Sequence, residues 1–115
     1  MSGIRNLPTI LLLLIGFAVF VASGAVQAEE SDSIAVALAL GTVLGSEGFC
    51  NLSFDQAAIK RFVAAKVKQD DMQFPSTLTM MTDGTKFQNT QMSPSEKTAH
   101  CAQIERVARS YEFIK

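Results

Sequence analysis

The amino terminus of the chain carries an uncharged apolar run. Residues 7–26 contain no charged side chain, Arg5 precedes them, and small residues lead to a polar boundary at Glu29. This order of basic, apolar and small residues is typical of a secretory signal peptide and predicts cleavage between Ala28 and Glu29. Because the run also reaches the roughly 20 residues of a membrane-spanning helix, an uncleaved anchor is the alternative. Both interpretations place residues 29–115 outside the cytosol.

The first segment after this boundary is apolar on nearly every side. Residues 31–33 supply candidate caps, and residues 34–44 consist mostly of Ala, Val, Leu and Ile. The alanines favour a helix over a strand. A helix that is apolar all round is either buried or packed against something outside itself. We therefore expect either a central helix or an interaction surface that comprises Ile34, Val36, Leu38, Leu40, Val43 and Leu44.

The second predicted helix is clearly amphipathic. Apolar residues recur at helical spacing from Phe54 to Ala65, and basic residues occupy most of the remaining positions. Ser53 and Gln56 stand three residues apart, which predicts a capping box in which each side chain satisfies a backbone donor of the first turn.

The third segment is less regular. It predicts a helix that could be interrupted at Gly84. Asp70 and Asp71 both stand where they would cap this helix, and Pro75 suits a first helical turn. Leu78 and Met81 lie close to one face. The Asp83-Gly84 pair is a turn signal, so we leave open whether one helix or two shorter ones form.

The last segment predicts a well-capped helix. Ser93 stands at the cap position, Pro94 at the first helical position, and Glu96 at the reciprocal capping position. Apolar residues then follow at spacings of three and four from Cys101 to Tyr111. This pattern places Cys101 on the buried stripe of the helix.

The two cysteines predict one covalent link. Cys50 and Cys101 both lie in the exported part, and small exported domains commonly use disulfides because their cores are thin. Two cysteines allow a single intramolecular bridge. Together with the helical patterns, this predicts an all-α fold, a small bundle of about four helices that spans residues 29–115 after a signal peptide at residues 1–28.

Net charge disfavours a nucleic-acid partner. Residues 29–115 carry nine Lys and Arg against eleven Asp and Glu, since Arg5 is the tenth basic residue. A phosphate backbone is bound by clustered basic side chains, and this mild acidity does not provide them.

Side chains with catalytic potential are few. His100 stands beside Cys101, but adjacent residues of a helix do not face each other. A sulfur in a disulfide also provides no thiolate. We therefore expect no enzymatic activity.

No metal site or cofactor is expected either. Methionine thioethers suit Cu(I), but methionine is also a flexible filler of small helical cores, which is the interpretation we favour. Paired aspartates before a helix act far more often as caps than as acid–base pairs. The residues concerned are Met72, Met80, Met81, Met92, Asp70 and Asp71.

Three stretches resemble parts of small exported proteins of alphaproteobacteria. They read FCNLSFDQAAI, DDMQFPSTLTMMTDGTKFQ and MSPSEKTAHCAQIERVARSY, and they cover residues 49–111. The resemblance implies an exported, periplasmic setting and carries no mechanism. The layout is also similar to that of HdeA-type acid-stress chaperones, which are small helical proteins with one disulfide, and this likeness is one of architecture alone.

The sequence therefore predicts a small non-enzymatic binding or interaction protein of the cell envelope, periplasmic or secreted. Its surface would be the apolar first helix or the methionine-rich middle, and its partner a protein or a second copy. One alternative is an acid- or stress-protective periplasmic chaperone. Another is a membrane-anchored accessory subunit that keeps its N-terminal helix uncleaved.

Overall fold

The structure is a computed structural model that describes residues 32–115. The predicted signal peptide at residues 1–28, its cleavage site and the alternative anchor at residues 7–26 lie outside the described residues. Among the helices of the described part, none is both long and apolar enough to cross a membrane.

The described residues form four helices and no strand. The first helix, α1, covers residues 32–45. It is followed by α2 at Gln56–Lys66, α3 at Phe74–Asn89 and α4 at Pro94–Ser110. The predicted all-α fold is confirmed. The helix α3 runs through Gly84 without interruption.

The apolar core is small, and α3 contributes little to it. Its members come mainly from α1, α4 and the chain around α2, and the single contribution from α3 is Phe74, its first residue. The third helix is therefore peripheral to the core. The buried apolar residues are Ala37, Leu40, Val43, Phe54, Ala58, Phe74, Ile104, Ala108 and Phe113.

The chain reverses after α4 and inserts an aromatic ring that the sequence patterns did not reveal. Glu112 adopts a positive φ of 65°. The Phe113 N–H donates to the Ala108 carbonyl at 2.9 Å, which is the Schellman pattern of a helix C-terminus. This turn places the Phe113 ring 5.6 Å from the rings of both Phe54 and Phe62. Phe113 is thereby buried to 1% exposure, although it lies beyond the helix.

The predicted disulfide is confirmed. One further helical turn follows α1 and ends at Asn51, whose φ is 56°. The Leu52 N–H donates to the Glu47 carbonyl at 2.9 Å and closes this turn. Cys50 lies in the turn and is bonded to Cys101 of α4, with a Cα–Cα distance of 5.4 Å. The bridge therefore attaches the chain after α1 to the middle of α4.

One predicted capping box is present. The Ser93 N–H donates to Glu96 Oε2 at 2.7 Å, and the Glu96 N–H donates to Ser93 Oγ at 3.2 Å. The backbone N–H of Ser93, and after it the Ser93 hydroxyl, stabilise the ionised Glu96 carboxylate and lower its pKa below the ordinary value. The first turn of α4 is thus satisfied by its own side chains.

The other predicted capping box is wrong. The N-cap of α2 is Asp55, whose carboxylate accepts the N–H groups of Ala57 and Ala58 at 2.9 and 3.4 Å. The predicted cap, Ser53, lies two residues too early. Its presumed partner Gln56 instead donates to the Phe54 carbonyl at 3.2 Å. A carboxylate next to the helix start displaces the hydroxyl as the cap.

The helices α1 and α3 approach each other at the level of their backbones. A Cβ atom on Gly41 would lie 2.6 Å from the Cβ of Met81, and one on Gly45 would lie 2.7 Å from the Thr82 carbonyl oxygen. Gly41 contacts the middle of α3, and Gly45 contacts Thr85, further along it. The two helices therefore run parallel, and α3 packs on a stripe of α1 that lacks side chains.

Asp71 fastens the start of α3 to the start of α1. Its carboxylate accepts the Ser33 hydroxyl at 2.5 Å and the N–H groups of Gln73 and Phe74 at 3.1 Å each. The Ser33 hydroxyl is the largest cause of a lowered pKa at Asp71, and the backbone bonds and Lys68 add to it. Asp71, one of the two predicted caps, therefore accepts backbone N–H groups just before and at the start of α3, whose N-cap residue is Gln73, and it also joins two helices.

The close contact between α1 and α3 predicts opposite effects for two glycine substitutions. Gly41→Ala should destabilise the fold by up to about 2 kcal/mol, because overpacking costs about 1–3 kcal/mol and the gain in helix propensity offsets about 1 kcal/mol of it. Gly84→Ala should stabilise it by up to about 1 kcal/mol, since a Cβ there meets nothing within 4 Å. Denaturant unfolding followed by circular dichroism measures both, and equal effects would contradict the packing.

The lowered pKa of Asp71 predicts an acid-dependent loss of stability. The ionised carboxylate stabilises the fold at pH values above the ordinary Asp pKa of about 4, and this contribution is lost as the pH falls through the lowered pKa in the folded state. Asp71→Asn should therefore destabilise the protein at pH 7, and the difference from the wild type should shrink as the pH falls below about 4 and through the lowered pKa of Asp71. Asp70→Asn, at the exposed neighbour, is the control. A difference that stays constant with pH would rule out this role.

Candidate functional site

The side of α3 that faces away from α1 carries exposed apolar residues. Met80 is 62% exposed and Phe87 is 70% exposed. At 3.6 residues per turn, positions seven apart point within about 20° of each other, so these side chains share one face. Gly84 lies between them on the same face, and no atom stands within 4 Å of where its Cβ would be. We call Met80, Gly84 and Phe87 the outer face of α3.

The outer face has a charged edge. Asp83 and Lys86 are exposed and lie on the same flank of α3, next to the apolar side chains. Met72, which precedes the helix, is 83% exposed. Single exposed apolar residues are normal on protein surfaces, whereas contiguous apolar patches mark interaction sites. The alignment on one rigid helix is therefore the informative feature.

The surface predicted on α1 is divided by the fold. Leu40 and Val43 are 0% and 3% exposed and belong to the core. Val36 and Leu44 are partly buried and pack against that core. These four residues are occupied by intramolecular contacts, because α1 has to provide the centre of a small domain.

Two residues of the predicted α1 surface do face solvent. Ile34 is 52% exposed and Leu38 is 45% exposed. They stand four residues apart and therefore share a face. An interaction surface on α1 stays a prediction for these two positions.

A buried polar cluster joins the end of α1 to α3 and α4. Ser46 Oγ lies 2.8 Å from His100 Nε2, and the same hydroxyl is 2.8 Å from the Thr42 carbonyl oxygen. Asn89 Nδ2 donates to Ser46 Oγ at 3.3 Å and to the Gly45 carbonyl at 3.4 Å. With the hydroxyl proton directed to Thr42, Ser46 accepts from both other side chains. The arrangement pairs polar groups from three parts of the fold, but the buried Asn89 Oδ1 has no hydrogen-bond partner among the described residues.

The pairing of a serine with a histidine is also the geometry of an activated nucleophile. Ser46 is, however, 0% exposed, and its oxygen is surrounded by intramolecular partners. A substrate atom has no path to that oxygen in this conformation. The cluster therefore holds helices together, and we assign it no chemistry.

His100 and Cys101 point to different partners. The ring of His100 lies edge-on to Phe49 with centroids 6.2 Å apart, and Lys97 Nζ lies 4.5 Å from the centre of the Phe49 ring. The sulfur of Cys101 is in the disulfide. The structure thus does not bring this histidine and cysteine together as a catalytic pair.

The four methionines of the middle segment lie in different environments. Met81 packs against Gly41 of α1, and Met92 is partly buried. Met72 and Met80 are exposed. Within residues 32–115, no group of three or more His, Cys, Asp and Glu side chains is placed to hold a metal ion.

Two open grooves flank the end of α4, with volumes of 670 and 440 Å³. Both are lined by Arg61 and Glu112. The larger one also includes Arg109 and Phe113, and the smaller one includes Tyr111. Neither groove contains a residue of the polar cluster.

The methionine-rich middle was predicted as one possible surface, whereas the part of Phe87 in it and the Ser46–His100 contact were not predicted. The outer face of α3 could have been found, because Met80, Gly84 and Phe87 follow helical spacing as well as Leu78 and Met81 do. The Ser46–His100 contact could not have been found, since 54 residues separate its partners and no local pattern connects them.

The chain matches no protein-family model, no curated protein and no solved structure. Its function therefore has to be inferred from its own residues.

The polar cluster predicts a specific loss of stability. Ser46→Ala should destabilise the fold by about 1–3 kcal/mol, because Asn89 and His100 lose a buried hydrogen-bond partner. Thr42→Ala, which removes an exposed hydroxyl bonded to the Leu38 carbonyl, should change stability by less than about 0.5 kcal/mol. Thermal and denaturant unfolding measure both variants. A Ser46→Ala variant as stable as the wild type would show that the cluster is not a structural joint.

Proposed function

We propose that the protein is a small non-enzymatic interaction protein that acts outside the cytosol and binds an apolar partner surface through the outer face of α3. The joint exposure of Met80 and Phe87 on one helix face is the observation that supports this proposal most strongly. Each of these side chains gains roughly 1.5–3 kcal/mol when it is fully removed from water. Burial of these two side chains against a partner would therefore be thermodynamically favourable.

The chemistry of the face suits recognition. Aromatic residues and methionine are enriched at protein interfaces. Phe87 offers a rigid ring, and Met80 offers a flexible side chain that adapts to its surroundings. Both stand on a regular helix, so little backbone ordering is needed upon binding.

Export is supported by two features. The Cys50–Cys101 disulfide favours an oxidising compartment. The apolar run at residues 7–26 and the predicted cut after Ala28 favour a periplasmic or secreted protein. Retention of that run would make the protein an anchored accessory subunit that presents the same face.

A binding role is favoured over catalysis by the placement of the reactive side chains. Ser46 is fully buried, the sulfur of Cys101 is in the disulfide, and His100 is hydrogen-bonded to Ser46. The outer face of α3, by contrast, is open to solvent and independent of these groups.

Site-specific photo-crosslinking in the source organism tests this proposal. A benzophenone amino acid at Phe87 should give one discrete adduct, and the adduct should be lost when Met80→Lys is added. The same probe at Lys60 of α2 or Arg106 of α4, both exposed, should give none. Mass spectrometry identifies the adduct, and titration of the purified partner confirms saturable binding.

Two outcomes would contradict the proposal. One is the absence of any adduct at Phe87, and the other is equal labelling at Phe87, Lys60 and Arg106. Adducts with many different proteins, formed only after acid exposure, would favour the stress-chaperone alternative.

A further inference from the structure

We propose that the basic end of the domain docks on an anionic phospholipid surface. The basic end comprises the exposed sides of α2 and of the last two turns of α4, together with the two grooves beside the end of α4. It shares no residue with the outer face of α3, so this inference goes beyond the proposed function. All of its basic residues are exposed, and they are Lys60, Arg61, Lys66, Arg106, Arg109 and Lys115.

Charge is unevenly distributed over the fold. Residues 32–115 carry nine Lys and Arg and nine Asp and Glu, because Arg5, Glu29 and Glu30 precede them. Six of the nine basic residues belong to the basic end, but only three of the nine acidic ones do. Those three are Asp55, Glu105 and Glu112. A domain with no formal net charge therefore presents one cationic surface.

The helix α2 supplies the largest part of this surface. Residues 56–69 include four Lys and Arg and no acidic residue. Within residues 32–115, the side chains of Lys60, Arg61 and Lys66 form no ion pair or hydrogen bond. The exposed residues beside the first two are small, namely Ala57 and Ala64. No bulky side chain of α2 therefore keeps these cations away from a flat surface.

Two of the three carboxylates are engaged within the fold. Asp55 accepts the first N–H groups of α2, and Glu105 is paired with Arg109 at 2.5 Å. Glu112 lines both grooves together with Arg61, but the two form no ion pair. The charges of the basic end that lack an opposite partner are therefore mostly positive.

Each groove offers two basic side chains to one anionic group. The larger groove, of 670 Å³, is lined by Arg61 and Arg109, and the smaller one, of 440 Å³, by Arg61 and Lys66. A guanidinium group binds phosphate oxygens through two parallel N–H donors. A headgroup phosphate is therefore a ligand that these side chains suit. Because both grooves are open and share Arg61, they suit neighbouring lipids of one layer.

A lipid surface suits the basic end better than a protein surface does. The core of a protein interface is depleted of charged residues and is anchored by buried apolar side chains. Contact with anionic headgroups requires only a cluster of about four to eight Lys and Arg. The large apolar residues that are exposed within residues 32–115 all lie outside the basic end, and they are Ile34, Leu38, Met72, Met80 and Phe87.

Co-sedimentation with lipid vesicles tests the docking. The protein is produced from its complete sequence and purified from the soluble fraction as the host processes it. It should bind vesicles of phosphatidylglycerol, which is anionic, and should not bind vesicles of phosphatidylcholine, which has no net charge. Binding should weaken steeply between about 0.01 M and 1 M salt, because the Debye length shrinks from about 30 Å to about 3 Å.

Two matched variants separate the basic end from the total charge. Arg61→Gln should lower the partition coefficient into phosphatidylglycerol vesicles by about five-fold, because each basic side chain near an anionic surface contributes about 1 kcal/mol. Lys86→Gln removes the same charge from the last turn of α3. It should change the coefficient by less than about two-fold in 0.1 M salt, where charges are screened over about 10 Å. Circular dichroism verifies that both variants are folded.

Three results would overturn the proposal. The first is no binding to phosphatidylglycerol vesicles at low salt. The second is an equal loss of binding for Arg61→Gln and Lys86→Gln, which would show that total charge decides. The third is a protein adduct at Lys60 or Arg106 in the photo-crosslinking experiment, which would assign the basic end to a protein partner.

The two proposals fail separately. Arg61→Gln should leave the photo-crosslink at Phe87 unchanged, because Arg61 is not part of the outer face of α3. Loss of vesicle binding with an intact Phe87 adduct would overturn the lipid docking and leave the interaction role. Vesicle binding without any Phe87 adduct would contradict the interaction role and support the lipid docking.

Discussion

The backbone contact between α1 and α3 at Gly41 and Gly45 is the constraint on which the rest of this structure depends. The helix α1 gives Leu40 and Val43 to the core and presents a stripe without side chains, at Gly41 and Gly45, to α3. The helix α3 can therefore dock closely, but along one side alone. It contributes Phe74 to the buried core and packs Leu78 against it, while its opposite side, with Met80 and Phe87, faces water.

The ends of this arrangement are held by polar and covalent links. Asp71 attaches the start of α3 to Ser33, and Asn89 attaches its end to Ser46 and Gly45. The disulfide fixes the chain just beyond α1 to α4. A domain of this size buries little apolar surface, so such links contribute a large share of its stability. They also keep the outer face of α3 in place without using it.

Local signals allowed the fold class to be predicted, and tertiary packing decided what local signals could not. The Ser93–Glu96 box and the disulfide were predictable because each depends on residue types alone. The cap of α2 was mispredicted, since Ser53 and Asp55 compete for one role and geometry decides between them. The placement of α3 decides which side of α1 is covered. The sequence of α1 cannot predict that side, because the segment is apolar on nearly every side.

The helix α3 presents one side to α1 and the other to solvent. Two adjacent methionines lie on these two sides, Met81 against α1 and Met80 in solvent. Brief oxidation with hydrogen peroxide, followed by fragmentation mass spectrometry, gives a separate rate for Met80 and Met81. The packing predicts rapid oxidation of Met80, at a rate close to that of exposed Met72, and slower oxidation of Met81 against Gly41. Equal rates for Met80 and Met81 would contradict the docking of α3 on α1, and with it the outer face.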